Sequence, residues 1–370
     1  MKAFIILLSL VGLCYGQSKL AKYNLESALS VSGLSSGSYM ANQFHVAQSK
    51  RVIGAGLFAG GPYYCAQGNL LTATNACMKL PTSINVATLK SKTQTYANSG
   101  LLDPLSNLAN SRVYIFSGTR DTVVVPGVVK KQEEYYASYI TGSGALKTVY
   151  DVAAQHGMPT DSYGGVCGST NLDYINNCNY NGAYEALNHI YGGGLEKPSS
   201  GAAFTGQLIL FDQVEFFKLA APSTYGMDTA GYVYVPSSCQ SGAQCKLHIV
   251  FHGCLQGRRE EVSCDIIYCE WWILCYLLYI EALSVIVQEE EGKKLGDKYA
   301  RYTGYNQVAD LNNFIILYPQ AKSNLSNPNG CWDCARQDNC SSFDVAQRHQ
   351  KVGPPDLHNS ASGRNVYPIV

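Results

Sequence analysis

The spacing of apolar positions predicts a strand, a turn and a helix near the start of the chain. The stretch LESALSVSGLSSGSYMANQFHVAQSKRVIGAGLFAGG, which begins at Leu25, carries a short apolar strand ending near Val31, a glycine turn, a helix from about residue 38 to 49, and a second strand over residues 52–58. Further strands are predicted at RVYIFSG, KTVYDV, GYVYVP, KLHIVFHG and NNFIILYPQ, each rich in Val, Ile, Tyr or Phe, with segments between several of them that can be helical. Alternation of this kind predicts an α/β fold with a mostly parallel central sheet flanked by helices. No internal repeat or Pro/Ser-rich linker breaks the pattern, so a single domain is expected over residues 17–350, with a loose tail over 351–370.

Two regions depart from it. Residues 266–287 are apolar apart from Glu270, Glu281 and Ser284, which is long enough to cross a bilayer. A membrane span is the literal reading, but each of the two carboxylates costs about 2 to 3 kcal/mol at membrane depth. A single crossing would also put the strand before it and the strand after it on opposite sides of the membrane, although both read as members of one sheet. Residues 260–294 are therefore taken as a hydrophobic insert foreign to the fold, of the kind mistranslated non-coding sequence would give. After Cys334 the chain is polar and aperiodic.

Composition narrows the function. With 46% hydrophobic residues the chain can bury a large core, and 27 basic against 27 acidic side chains leave no net charge and no basic block. The long-range field that draws proteins to nucleic acid is missing, so no nucleic-acid partner is expected. Lys2, the apolar run from Ala3 to Leu13, and Cys14 and Gly16 as small residues form a signal peptide over residues 1–16, with cleavage after Gly16 and export. Export suits the 14 cysteines. Cys65 with Cys77, Cys167 with Cys178, and Cys239 with Cys245 look like bridges stapling surface loops. With Cys14, the insert's Cys264, Cys269 and Cys275, and the tail's Cys334 and Cys340 set aside, Cys254 and Cys331 remain and are paired with each other. No pair has the spacing and nearby histidines of a zinc site, so no metal is expected. Asn324 and Asn339 head glycosylation acceptors that an exported chain could use.

Gly33, Ser35 and Gly37 make a Gly-x-Ser-x-Gly pattern. Gly and Ser are common in loops, so the pattern alone is weak; with a strand before it and a helix after it, it reads as a nucleophile elbow. A serine hydroxyl needs a base, and the base needs an acid that holds its tautomer. Of seven histidines, His156 sits in the loop after a predicted strand, where an α/β-hydrolase presents its base, whereas His45 lies too far along the helix after the elbow and His189, His349 and His358 follow no strand. Asp121, in a turn at the end of an apolar strand, is the acid; Asp103 and Asp161 lie in turns where an aspartate commonly caps backbone. The order Ser35, Asp121, His156 is that of α/β-hydrolases. The expected oxyanion hole is built from the backbone amides of Ser36 and Cys254, the latter in the IVFHGC loop far downstream of the serine. That position calls for a circularly permuted fold in which the opening strands come last. His252 is expected to orient this loop and to do no acid–base chemistry.

The stretches GLSSGSYMANQ, FAGGPYYCA, SGTRDTVV, HGMPTD, INNCNYNGAYEALNHIYG, STYGMDTAGYVYVPSSC, LHIVFHGCLQG, GDKYARYTGYNQVADLNNFIILYPQA and NGCWD together resemble the extracellular poly(3-hydroxybutyrate) depolymerases of the single-domain, circularly permuted α/β-hydrolase type, from about Tyr23 to Asp333. Joining HGCLQGR directly to LGDKYARYTGYN reproduces the family's continuous run. The resemblance implies the same triad and oxyanion amides, and places Trp332 beside the ester-binding crevice. This sequence departs from the family after Cys-Trp-Asp, where Cys334 and an unrelated tail replace further aromatics. The expectation is a secreted, monomeric serine esterase with disulfide-stapled loops and no cofactor, acting on polyester or small esters. A general carboxylesterase for small or plant-derived esters, an inactive binding module on the same fold, and a hydrolase anchored through residues 266–287 stand as alternatives.

Overall fold

Strand β1 (Leu25–Leu34) is buried along most of its length, as a central strand of a parallel sheet must be when both of its faces are covered. In this computed structural model, residues 17–258, 295–325 and 327–332 are described. The predicted signal peptide, the apolar stretch 266–287 and the tail lie outside the described residues.

Strands β2 (Val52–Phe58), β3 (Arg112–Phe116) and β4 (Leu146–Val149) extend the sheet on one side of β1. Strands β8 (Gln207–Asp212), β9 (Ala230–Val235), β10 (Cys245–Phe251) and β11 (Phe314–Tyr318) complete it on the other. The order is β4-β3-β2-β1-β10-β11-β9-β8. From β4 to β11 every pairing is parallel, and β9 and β8 add an antiparallel edge. A second, small sheet joins β5 (Met158–Thr160), β6 (Gly165–Val166) and β7 (Ile175–Asn177).

Helices cover both faces. On one, Met40 and Phe44 of α1 (Ser36–Ala47) share a core with Leu89 of the helix over Val86–Asn98, Val128 and Tyr136 of the helix over Pro126–Tyr136, and Val31, Ile249 and Phe251 of the sheet. On the other, Ala186 and Leu187 of the helix over Gly182–Ile190 pack with Tyr305 and Val308 of the helix over Tyr305–Asn312 against Leu34, Val250 and Ile316. Four bridges staple the loops: Cys65–Cys77, Cys167–Cys178, Cys239–Cys245 and Cys254–Cys331. All four pairings are those read from the sequence.

The mostly parallel α/β sheet expected from the alternation is present. The sequence reading missed β8 and the small sheet, whose strands are short and, in β5, contain Pro159. It also drew the elbow too loosely, ending the strand near Val31 and starting the helix near 38; β1 runs to Leu34 and α1 starts at Ser36. Among the described residues no helix is long and apolar enough to cross a membrane. The chain on either side of residues 259–294 converges on Asp173: the side chains of Gln256 and Lys298 both donate to it, at 2.8 Å to its carbonyl and 3.3 Å to its carboxylate. β10 and β11, which flank that stretch, are neighbours in register, Lys246 opposite Phe314.

Candidate active site

Ser35 makes the whole strand-to-helix turn by itself. Its backbone, at φ 56° and ψ −121°, lies in a region that costs a non-glycine residue about 1 to 3 kcal/mol. The surroundings hold it there: its N–H donates to the Phe58 carbonyl (2.9 Å), and its carbonyl accepts from the amides of Ser38 (2.9 Å) and Tyr39 (3.1 Å). The glycines of the pattern have a steric cause. A Cβ on Gly33 would collide with the carbonyl of Gly37, and a Cβ on Gly37 with the carbonyls of Phe251 and His252. Glycine at both positions therefore lets the end of β10 press against the elbow.

Because β10 lies parallel to β1 with Phe251 opposite Gly33, the loop that follows it emerges beside the serine. A Cβ on Gly253 would sit 3.5 Å from Ser35 Cβ and 3.3 Å from the Leu34 carbonyl. Ser36 opens α1, where a helix leaves its first amides unsatisfied, and no hydrogen bond from the Ser36 or the Cys254 amide occurs among the described residues. These two amides, unpartnered among the described residues, lie on adjoining backbone segments, and donors so placed can stabilise an oxyanion.

The Cys254 loop is braced from several sides. Cys254 is bridged to Cys331, and Leu255, in the left-handed region at φ 66°, donates to the Asn329 carbonyl at 2.7 Å. Trp332 is 5% exposed; its indole N–H donates to the His252 carbonyl (2.7 Å), and its ring packs on Phe251 and His252. His252 accepts the Ala321 amide at Nε2 (3.2 Å), which leaves Nδ1–H to donate to the Gly253 carbonyl (2.7 Å). Burial lowers its pKa to about 4, outweighing the opposing effects of the Gly253 carbonyl and Asp228, so it is neutral.

Asp121 and His156 meet across the ends of β3 and β4. One carboxylate oxygen of Asp121 accepts the amides of Val123 (2.8 Å) and Val124 (2.9 Å), and the other accepts His156 Nδ1–H at 2.8 Å. Nε2 of His156 has no hydrogen bond among the described residues. The Gln155 side-chain carbonyl accepts both the His156 and the Thr122 amides, tying the two loops together, and Tyr174 packs edge-on against the imidazole with ring centres 5.8 Å apart. Asp103 and Asp161 instead accept from the Lys50 amide and the Asn181 side chain. Three other histidines are spoken for within the fold. His45 lies between Tyr136 and Ser111, His248 between Ser30 and Ser32, and His189 bonds the Ala145 carbonyl; burial lowers the pKa of all three, to about 3 for His45 and His248.

Sequence reasoning missed Gln155, Tyr174 and Gln256. Gln155 had one available signal, adjacency to the predicted base; Gln256 and Tyr174 had none, because a buried amide and an aromatic in a loop carry no pattern. Gln256 accepts the Gly253 amide (2.7 Å) and donates to the carbonyls of Asp173 and Tyr174, so the 252–254 loop is connected to the wall of His156. Among the described residues no cluster of three or more His, Cys, Asp or Glu side chains could hold a metal ion.

No model of a known protein family matches the chain. Individual proteins do. The chain is 40% identical over 329 residues to a poly(3-hydroxybutyrate) depolymerase of Delftia acidovorans, an alignment covering 88% of this chain and 56% of that protein. It therefore spans little more than half the length of that relative. It is 36% identical over 325 residues to a polyhydroxybutyrate depolymerase of Talaromyces funiculosus, covering 83% of this chain and 81% of the other. Among solved structures it resembles a PHB depolymerase, a serine-to-alanine variant complexed with an R3HB trimer, at TM-score 0.69 and 32% identity over 88% of this chain and 93% of that one. The PHB depolymerase of Penicillium funiculosum follows at TM-score 0.67 and 33% identity, over 85% and 90%.

Proposed function

The chain belongs to the polyhydroxybutyrate depolymerase family of serine ester hydrolases, and from that premise we propose that it is a secreted enzyme cleaving poly(3-hydroxybutyrate)-like polyesters or oligoesters through an acyl-enzyme on Ser35. Ser35 Oγ attacks the ester carbonyl carbon while His156 Nε2 takes the hydroxyl proton. The tetrahedral oxygen, negatively charged only in the transition state and intermediate, is met by the amides of Ser36 and Cys254. The carbon–oxygen bond to the leaving alcohol breaks as His156 returns the proton to that oxygen. Water then attacks the acyl carbonyl by the same route, giving up a proton to His156 and freeing the acid and Ser35. Asp121 holds Nδ1–H and stabilises the imidazolium. No cofactor takes part in these steps.

The observation that carries this reading is the strained Ser35 backbone set beside the 252–254 loop, together with the buried Asp121–His156 hydrogen bond. A β10 loop that supplies an oxyanion amide although it follows the nucleophile by more than 200 residues fits a circularly permuted α/β-hydrolase. Trp332, buried under that loop, acts by shaping the rim of the ester crevice through the His252 carbonyl it bonds. Four disulfides suit an oxidising compartment, and hence the signal peptide at residues 1–16. The enzyme acts as a monomer.

The purified chain is expected to hydrolyse p-nitrophenyl butyrate and to label at Ser35 with a fluorophosphonate. Ser35→Ala should lose at least about 10⁴-fold in turnover. Full activity in Ser35→Ala sinks the triad; a folded wild type that neither turns over nor labels favours an inactive binding module. Release of soluble acids from suspended polyester film separates the polymer enzyme from a general carboxylesterase.

A further inference from the structure

We propose that Gln256 is a positioning residue for ester cleavage: its side-chain amide determines which N–H of the loop after β10 faces the reacting carbonyl, and couples that loop to the wall of His156. The inference rests on the hydrolase reading above.

The loop offers four successive amides, and three are taken. Gly253 N–H donates to Gln256 Oε1 (2.7 Å), Leu255 N–H to the Asn329 carbonyl (2.7 Å), and Gln256 N–H back to the Gly253 carbonyl (3.3 Å). Cys254 N–H is left over. Without Gln256 Oε1, the Gly253 amide would be a second unpaired donor a residue away, and the turn through the left-handed Leu255 would lose the bond that fixes its first amide. An oxyanion hole works because its donors are fixed before charge develops, so a loop that can present either amide stabilises the transition state less.

The other end of the same side chain reaches the base. Gln256 Nε2 donates to the carbonyls of Asp173 (2.8 Å) and Tyr174 (3.3 Å). The Tyr174 carbonyl also accepts the amide of Met158, two residues past His156, and the Tyr174 ring contacts the imidazole. Tyr174 itself is held in the left-handed region at φ 49°. Gln256 is 1% exposed with every polar atom of its side chain in use. Only a neutral side-chain amide of this length offers one acceptor and two donors together; glutamate keeps the acceptor and loses the donors, and methionine keeps only the length.

The test uses the full chain with Gln256→Met and Gln256→Glu, beside wild type and Ser35→Ala, on p-nitrophenyl butyrate, with butylboronic acid as a tetrahedral probe of the oxyanion site. Gln256→Met should lower kcat by about tenfold to a hundredfold with KM within about twofold, and weaken boronic acid binding by the same factor. Gln256→Glu should lose less, and its rate relative to wild type should rise as pH falls and the carboxyl gains a proton to donate. Should Gln256→Met not fold, Gln256→Glu carries the same measurements. Unchanged boronic acid affinity in variants whose only defect is a lower Tm assigns Gln256 a purely structural part and overturns the inference, while leaving the hydrolase reading intact. A wild type without Ser35-dependent turnover overturns both, and that control tells the two failures apart.

Discussion

The chain contains two buried His-Gly pairs, at 156–157 and 252–253, and their histidines have different partners. His156 and His252 are equally withdrawn from water, at 3% and 1% exposure, so burial does not distinguish a base from a brace. Their partners do. His252 spends both ring nitrogens on backbone groups, the Gly253 carbonyl and the Ala321 amide, and has none left for a substrate. His156 places Nδ1 on the Asp121 carboxylate, and its Nε2 has no partner among the described residues, which is where the proposed proton transfer would take place. On protonation His252 would lose the bond it accepts from the Ala321 amide while keeping the one it donates to the Gly253 carbonyl, whereas the partner of His156 is a carboxylate.

Exchanging each histidine for asparagine tests that contrast most sharply. His156→Asn should cost about 10⁴-fold or more in turnover with Tm nearly unchanged. His252→Asn should cost about 1 to 3 kcal/mol in stability, from two buried hydrogen bonds, and only about tenfold in turnover. Equal kinetic losses would erase the distinction between base and brace. Next in size, Cys254→Ser combined with Cys331→Ser opens a bridge of sequence separation 77 that clamps the loop after His252. Denaturant unfolding should show a loss of about 2 to 4 kcal/mol. Because the Asp121–His156 bond is not part of the bridge, turnover on p-nitrophenyl butyrate should fall far less than in His156→Asn.

The neutral histidines set a pH limit of their own. His252, His45 and His248 have folded pKa values of about 4, 3 and 3, below the ordinary 6.5. The unfolded chain therefore binds more protons in this range, and the stability these residues contribute, complete above about pH 6.5, is lost as pH falls toward 4. Tm measured from pH 7 to pH 4 should fall, and His252→Asn should flatten part of the slope. The smallest effect is expected from joining Arg258 directly to Leu295. Because Gln256 and Lys298 already meet at Asp173, the shortened chain should fold and keep turnover within about twofold, whereas loss of folding would make residues 259–294 part of the domain.

The candidate residues were legible because their signals are local. Ser35 stands in a pattern whose glycines answer to close backbone approach, and Asp121 and His156 each follow an apolar run into a loop. The disulfide pairings followed from short separations and from the remainder once Cys14, the insert and the tail were set aside. The elbow's length was misjudged because a single residue at positive φ makes a turn that composition spreads over several. Gln155, Tyr174 and Gln256 escaped because their work lies in hydrogen bonds and ring contacts between loops distant along the chain, which leave no periodicity to read.

Apolar alternation and the Gly-x-Ser-x-Gly pattern are properties of short segments, governed by backbone sterics and burial, and the sequence determined them alone. The partners that hold His252, the Gln256 side chain that takes the Gly253 amide, and the meeting of Gln256 and Lys298 at Asp173 were decided only in the folded chain. Each depends on hydrogen-bond partners supplied from elsewhere, and a donor has no acceptor until the sheet has brought the two together.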